Sequence, residues 1–186
     1  MSALEWPHHL LTLDDWAELP ENSEFHVEVV EGVLSVAPRP FPLHQRAVML
    51  LGYRLDEQLS GEHGALTEVE MVIGTAPLTV RVPDVLVAPS AVIQANPPRI
   101  AAADVSLAVE VLSEGTKRVD RVAKLFEYAD AGIEQYWIVD LDKPVSMIAY
   151  RLIDGDYENF GEFSGDVSLE VAGNAVKFNL DALVTR

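Results

Sequence analysis

The spacing of apolar residues in the first third of the chain predicts a short helix, a β-hairpin and a longer helix. The short helix covers residues 11–20, where Thr12 can cap its start and an acidic residue three positions on can complete a capping box. Strand-like runs at 25–30 and 33–37 flank a Glu-Gly turn and predict the hairpin. After a proline-rich connection, apolar residues at helical spacing predict an amphipathic helix over 44–59.

The rest of the chain predicts strands interrupted by one more helix, followed by a β-rich tail. In chain order the segments are strands at 65–73, 79–87 and 105–112, a helix at 118–131, a strand at 136–139, and a hairpin around Asp154-Gly155. On the helix, Val119, Val122, Phe126 and Ala129 would form the apolar face. This order of elements predicts a mixed α/β fold, with one central mixed sheet flanked by helices.

Length and composition favour one folded domain. We expect a single domain spanning 1–186, with a core at about 25–152 and an acidic, β-rich extension at about 153–186. No apolar stretch approaches the ~18 residues that cross a bilayer, so we expect no membrane association. The chain has no cysteine and no visible signal peptide, which fits a cytoplasmic protein.

The net charge of −17 bears most directly on function. Proteins that grip nucleic acid by its backbone are usually basic, so the charge disfavours a nucleic-acid partner without removing it. The distribution is uneven, because residues 152–176 contain no Lys or Arg. A local basic cluster lies instead at Lys117, Arg118, Arg121 and Lys124.

Two acidic residues lie in strand-like runs that are otherwise apolar. Asp84 follows Pro83 within 79–87, and Glu110 lies in the middle of 107–112. An unpaired charge is so costly to bury that such a carboxylate normally pairs with a cation, neutralises or binds a metal. Because alternate side chains of a strand share a face, the two carboxylates can converge if their strands are neighbours. Hard cations such as Mg²⁺ favour carboxylates with retained waters and phosphate oxygens, so the pair predicts a divalent-metal site.

Each of these residues also has a structural interpretation. Asp84 can simply end a strand, and Glu110 can pair with an arginine, the candidates being Arg81, Arg118 and Arg121. Lys124, on the following helix, can stabilise a developing anion or orient an attacking water. It can equally form an exposed helix pair with Asp120, four residues earlier, worth about 0.2–0.5 kcal/mol.

His44 and Glu28 are further candidates. His44 lies four residues before Val48, on the apolar side of its helix, where a partly buried structural histidine is the alternative. Glu28 alternates with Val27 and Val29, and a solvated strand position is its alternative. The chain has no glycine-rich phosphate loop, no HExxH pair and no Gly-x-Ser-x-Gly elbow, so acyl transfer has no support.

An ordered series of short motifs resembles the Uma-two family of restriction-endonuclease-like proteins, within the PD-(D/E)xK nuclease superfamily. The motifs are residues 12–16 (TLDDW), 27–32 (VEVVEG), 42–46 (PLHQR), 83–85 (PDV), 110–113 (EVLS), 120–124 (DRVAK) and 128–140 (YADAGIEQYWIVD). The resemblance covers roughly residues 11–152. It departs from the family at Glu114-Gly-Thr116, where Pro-Ser-Thr is more usual.

The resemblance implies a restriction-endonuclease-like core and a Mg²⁺- or Mn²⁺-dependent nuclease site. Asp84 and Glu110 match the metal-ligand positions, and Glu28 and His44 match positions near the site. The superfamily lysine two residues after the acid is replaced here by Leu112, and Lys124 matches the substitute on the next helix. The implied catalytic residues are therefore Asp84, Glu110, Lys124, Glu28 and His44.

Two functions from different classes remain open at this point. One is metal-dependent hydrolysis of nucleic acid, and the other is a catalytically inactive relative that serves as an acidic interaction or metal-binding module. We also expect a homodimer, with the apolar C-terminal strands as the interface.

Overall fold

The computed structural model describes residues 9–20, 25–113 and 122–185, which form four α-helices and three β-sheets. The helices are α1 (Leu13–Glu18), α2 (Pro42–Asp56), α3 (Ser90–Gln94) and α4 (Lys124–Asp130). The strands are β1 (Phe25–Val30), β2 (Val33–Pro38), β3 (His63–Thr67), β4 (Met71–Thr75), β5 (Leu78–Arg81), β6 (Val85–Pro89), β7 (Ile100–Ala101), β8 (Leu107–Val111), β9 (Gln135–Asp140), β10 (Ser146–Ile153), β11 (Asp156–Ser164), β12 (Asp166–Val171) and β13 (Asn174–Asn179).

The predicted mixed α/β class is confirmed, but the strands divide between two large sheets. The six-stranded sheet has the order β11-β10-β9-β8-β6-β3, with a parallel β8–β9 pair among antiparallel neighbours. The five-stranded sheet has the order β2-β1-β5-β4-β7, and a third sheet is the β12–β13 hairpin. Helix α2 packs Leu51 and Leu55 into a core with Val85, Val109 and Trp137, which fixes the helix against the six-stranded sheet.

The N-terminal predictions are confirmed closely. Thr12 caps α1 by accepting the Asp15 backbone N–H, and the Asp15 carboxylate accepts the Thr12 N–H in return, which is a capping box. β1 and β2 form the expected hairpin, and Glu31 and Gly32 make its turn with positive φ angles of 49° and 79°. Helix α2 starts at Pro42, two residues earlier than predicted, because proline is well suited to the first turn of a helix.

Two predicted strands are each broken in two. The run at 65–73 separates into β3 and β4 at Glu68, whose φ of 53° cannot continue a strand. The run at 79–87 separates into β5 and β6, because Pro83 has no N–H to continue a ladder and the chain crosses there between the two large sheets. Asp84 therefore lies in a bend immediately before β6 rather than inside a strand.

The predicted apolar face of the helix after β8 is wrong at two of its three described positions, whereas Ala129 is buried as predicted. Val122 and Phe126 are exposed, whereas Lys124, Tyr128 and Ala129 are buried. Lys124 and Tyr128 point inward because the side chains that they meet there, Glu110 and Glu28, are polar. Val119, the rest of the basic cluster (Lys117, Arg118, Arg121) and the Glu114-Gly-Thr116 departure lie outside the described residues.

The C-terminal strands belong to the same packing as the rest of the chain. β11 pairs with β10 along its length, and the turn between them is Asp154-Gly155, as predicted. In the β12–β13 hairpin, Val171 and Phe178 join the core beside Trp137. These two apolar side chains are thus buried within the chain itself, and the expected homodimer stays a prediction. Among the described residues no helix is long and apolar enough to cross a membrane.

Candidate active site

Asp84 and Glu110 lie at the same end of the β6–β8 pair. The antiparallel register joins Val85 to Val109 and Leu86 to Ala108. Asp84, in the bend immediately before β6, precedes Val85, and Glu110 follows Val109 in β8. Both residues are largely buried, at 9% and 4% exposure, so each needs a partner for its charge.

Asp84 is held by the backbone of β8 and by His44. Its Oδ2 accepts the Val111 N–H at 2.7 Å and lies 3.4 Å from His44 Nε2. The same Nε2 is 2.7 Å from the Val111 carbonyl oxygen, so it donates there. Burial would lower the pKa of His44, but the hydrogen bond and charge of Asp84 outweigh it and raise that pKa above its usual value. His44 Nδ1 is buried with no hydrogen-bond partner among the described residues.

Glu110 receives two side chains from one face of α4. Its Oε1 accepts the Tyr128 hydroxyl at 2.8 Å and lies 2.8 Å from Lys124 Nζ. Positions four apart on a helix lie on the same face, which is why both reach the same carboxylate. Lys124 is only 4% exposed, so it does not form the exposed helix pair considered from the sequence; Asp120 itself lies outside the described residues.

Glu28 reaches the same group from the five-stranded sheet and is buried rather than solvated. Its Oε1 accepts the Val82 N–H at 3.0 Å and lies 3.4 Å from Lys124 Nζ. Its Oε2 accepts Arg81 Nη1 at 2.7 Å. Burial would raise the pKa of Glu28, but Lys124, His26 and Arg81 together outweigh it and hold that pKa well below its usual range.

Three residues at the site were not assigned to it from the sequence: Arg81, Glu127 and Tyr128. Arg81 had been considered only as a partner of Glu110, but its described ion pairs are with Glu28 and Glu127. Arg118 and Arg121, the other candidates, lie outside the described residues. The signal that could have found Glu127 and Tyr128 is their spacing of three and four from Lys124 on one helix.

The donor set around Asp84 and Glu110 fits a hard divalent cation. Among the described side chains no three His, Cys, Asp or Glu groups are placed to hold a metal ion together. Mg²⁺ is commonly bound through one or two carboxylates while it keeps several waters.

The fold is that of a nuclease-like protein. It belongs to the Uma2 family, described as "Putative restriction endonuclease", whose model matches residues 13–181. The fold is shared with a crystal structure from Anabaena variabilis ATCC 29413, titled as that of "a putative nuclease belonging to DUF820". That alignment has a TM-score of 0.74 at 20% identity and covers 94% of this chain and 98% of the other. No curated protein matches the chain.

Proposed function

We propose that the protein is a divalent-metal-dependent nuclease that hydrolyses phosphodiester bonds at the Asp84–Glu110 pair. The observation that carries the proposal is the burial of two carboxylates at one end of the β6–β8 pair, with a buried lysine beside Glu110, in a chain of the Uma2 family. A purely structural core would place apolar side chains at these positions. Buried ion pairs are rarely a net gain in stability over packed hydrocarbon, so their presence favours a chemical role.

The residues divide into ligands, an electrostatic group and supports. Asp84 and Glu110 would hold Mg²⁺ or Mn²⁺, which supplies Lewis-acid stabilisation of the charge that develops on the phosphate. The Lys124 ammonium, 2.8 Å from Glu110, is placed to hold a phosphate oxygen next to the same pair. His44 orients Asp84 through Nε2, and Tyr128 orients Glu110 through its hydroxyl. Glu28 fixes the position of Lys124.

The net charge of −17 favours one competing function. A chain this acidic repels long polyanions, and in a non-catalytic relative the same carboxylate pair would bind a metal without cleaving nucleic acid. Metal binding is common to both functions. Cleavage therefore separates them.

The test is a cleavage assay on plasmid DNA, single-stranded DNA and single-stranded RNA, each with Mg²⁺ and with Mn²⁺. Asp84→Asn and Glu110→Gln keep the shape of the side chains and remove their charge, and both should reduce cleavage to background. Lys124→Met should lower kcat by about 10²–10³-fold, the range seen when one preorganised electrostatic donor is lost. Calorimetry measures Mn²⁺ binding by the same proteins.

Asp156→Asn and Glu158→Gln are matched controls, because they make the same chemical changes at exposed positions of β11. Both should cleave as the wild type does. Cleavage that survives Asp84→Asn and Glu110→Gln would be a contaminant and would overturn the site. Mn²⁺ binding without cleavage of any substrate would establish the non-catalytic function instead.

A further inference from the structure

We propose that Arg81 is a positioning residue which, together with Glu127, fixes Lys124 beside Glu110. The inference rests on the proposed function for its catalytic consequence, but the geometry on which it stands is independent of any reaction. Arg81 does not contact Glu110 among the described interactions, and it acts on Lys124 through two carboxylates.

The guanidinium of Arg81 joins two elements that approach the site from different directions. Its Nε and Nη2 donate to the two carboxylate oxygens of Glu127 on α4, at 2.7 Å each. Its Nη1 donates to Glu28 Oε2 on β1, also at 2.7 Å. A fork of two parallel hydrogen bonds fixes direction as well as distance, which a single ammonium cannot do.

These contacts close a ring that includes the lysine. Glu28 uses Oε2 for Arg81 and Oε1 for Lys124 Nζ, at 3.4 Å. Glu127 is three residues after Lys124, so it lies on the same side of α4. The helix is therefore tied to the five-stranded sheet at two points one turn apart, and rotation of α4 that would withdraw Lys124 from Glu110 has to break the Arg81–Glu127 pair.

Burial makes this arrangement restrictive. Arg81 is 2% exposed, and its guanidinium pairs with the carboxylate of Glu28 on one side and with that of Glu127 on the other. For Arg81, Glu28 and Lys124, each at most 6% exposed, the alternative is an unpaired buried charge, so few other arrangements are accessible. Arg81 also immediately precedes Val82, whose N–H is held by Glu28, so one carboxylate aligns Lys124 and the segment leading to Asp84.

The chain has only four lysines, which makes Lys124 accessible to a direct measurement. In protein labelled with ¹³C-lysine, an immobilised side chain shows two distinct Hε shifts, whereas an exposed lysine shows nearly one. We expect resolved Hε shifts for Lys124 in the wild type without metal. In Arg81→Met and Glu127→Gln they should collapse towards those of the exposed Lys143 and Lys177, whose own signals should not change.

Arg151→Met is the matched control, since Arg151 stacks on the Phe160 ring and makes none of the described ion pairs of the site. It should leave the Lys124 signals as they are. Glu127 is partly exposed, so Glu127→Gln keeps the test available if Arg81→Met does not fold. Thermal unfolding is recorded in parallel: a role confined to stability would lower Tm and leave the Lys124 shifts resolved, and that result would overturn the proposal.

The activity arm separates this inference from the proposed function. Where the wild type cleaves, Arg81→Met and Glu127→Gln should lower kcat by about 10–100-fold, as expected for a misplaced catalytic group, with KM nearly unchanged. A wild type that cleaves nothing would contradict the nuclease and leave the Lys124 result standing. Resolved Lys124 shifts in both folded variants would contradict the positioning role alone, whatever the cleavage.

Discussion

The hydroxyl of Tyr128 offers a test of how much a hydrogen bond to the buried charge of Glu110 contributes to the free energy of unfolding. Tyr128→Phe removes one oxygen from a side chain that is fully buried and packed edge-to-face on Tyr136, with ring centroids 5.0 Å apart. The phenyl ring can keep that packing. What is lost is the 2.8 Å hydrogen bond to Glu110 Oε1. Burial and the Glu110 charge raise the pKa of Tyr128 well above its usual value, so the hydroxyl stays protonated and donating throughout the accessible pH range.

The magnitude follows from the charge of the acceptor. A hydrogen bond to a charged group contributes about 1.5–3 kcal/mol to the free energy of unfolding, against about 0.5–1.5 kcal/mol for a neutral pair. Glu110 is 4% exposed, so water cannot fully replace the lost donor. We therefore expect the range for a charged acceptor to apply. For a domain of this size each kcal/mol lowers Tm by about 2–4 °C, so Tyr128→Phe should lower it by about 3–12 °C.

Tyr157→Phe is the matched control within the same aromatic cluster. Its hydroxyl donates to the Ile133 carbonyl at 2.8 Å, a neutral acceptor, and its ring also packs on Tyr136. Urea unfolding followed by circular dichroism should give a larger loss for Tyr128→Phe than for Tyr157→Phe. In a Glu110→Gln background the loss from Tyr128→Phe should shrink to the neutral range. Equal losses for the two tyrosines, or a loss from Tyr128→Phe that stays the same size in the Glu110→Gln background, would refute the reasoning.

Two further predictions concern stability away from the reaction. The folded-state pKa of Glu28 lies below the unfolded value of about 4.3, so its charge stabilises the fold above that pH, and this contribution fades as pH falls towards the folded value. Glu28→Gln should therefore be strongly destabilised at pH 7 in urea titrations, and its deficit should narrow steadily below pH ~4.3; a deficit independent of pH would contradict this. At Gly32 (φ 79°) an added Cβ would lie 2.6 Å from Leu10 Cβ, whereas at Gly132 (φ 79°) it would meet nothing within 4 Å. Both alanine variants carry the left-handed strain of about 1–2 kcal/mol. Gly32→Ala should lower Tm further than Gly132→Ala because it adds the clash with Leu10. The reverse order would contradict that clash.

Local patterns predicted what depends on neighbours in the chain and missed what depends on distant contacts. The Thr12 cap, the turn at Asp154-Gly155 and the class of fold follow from short-range preferences. The cost of burying a carboxylate singled out Asp84 and Glu110 without any structure. By contrast, Pro83 signals a break in the strand, but nothing in the apolar run around it indicates that the chain passes there from one sheet to another.

The inward face of α4 illustrates the same limit. Helical spacing groups Val122 with Phe126, and nothing within the helix indicates that Lys124 and Tyr128 face the interior instead. Their burial is decided by Glu110 and Glu28, which lie 14 and 96 positions earlier than the lysine. Sequence preferences cannot weigh a non-local ion pair against an apolar surface, so the error is of a kind that only tertiary contacts correct.

The crossing of the chain between the two large sheets at Val82 and Pro83 has a consequence for biosynthesis. Glu28 belongs to one sheet and Glu110 to the other, and Asp84 sits where the crossing ends. During translation all three acidic side chains emerge before Lys124, and β8 gains its neighbour β9 only when residue 140 has left the ribosome. Contacts between residues distant in sequence form late in folding. An unfinished or misfolded chain therefore carries the acidic residues without the arrangement that brings Lys124 to them.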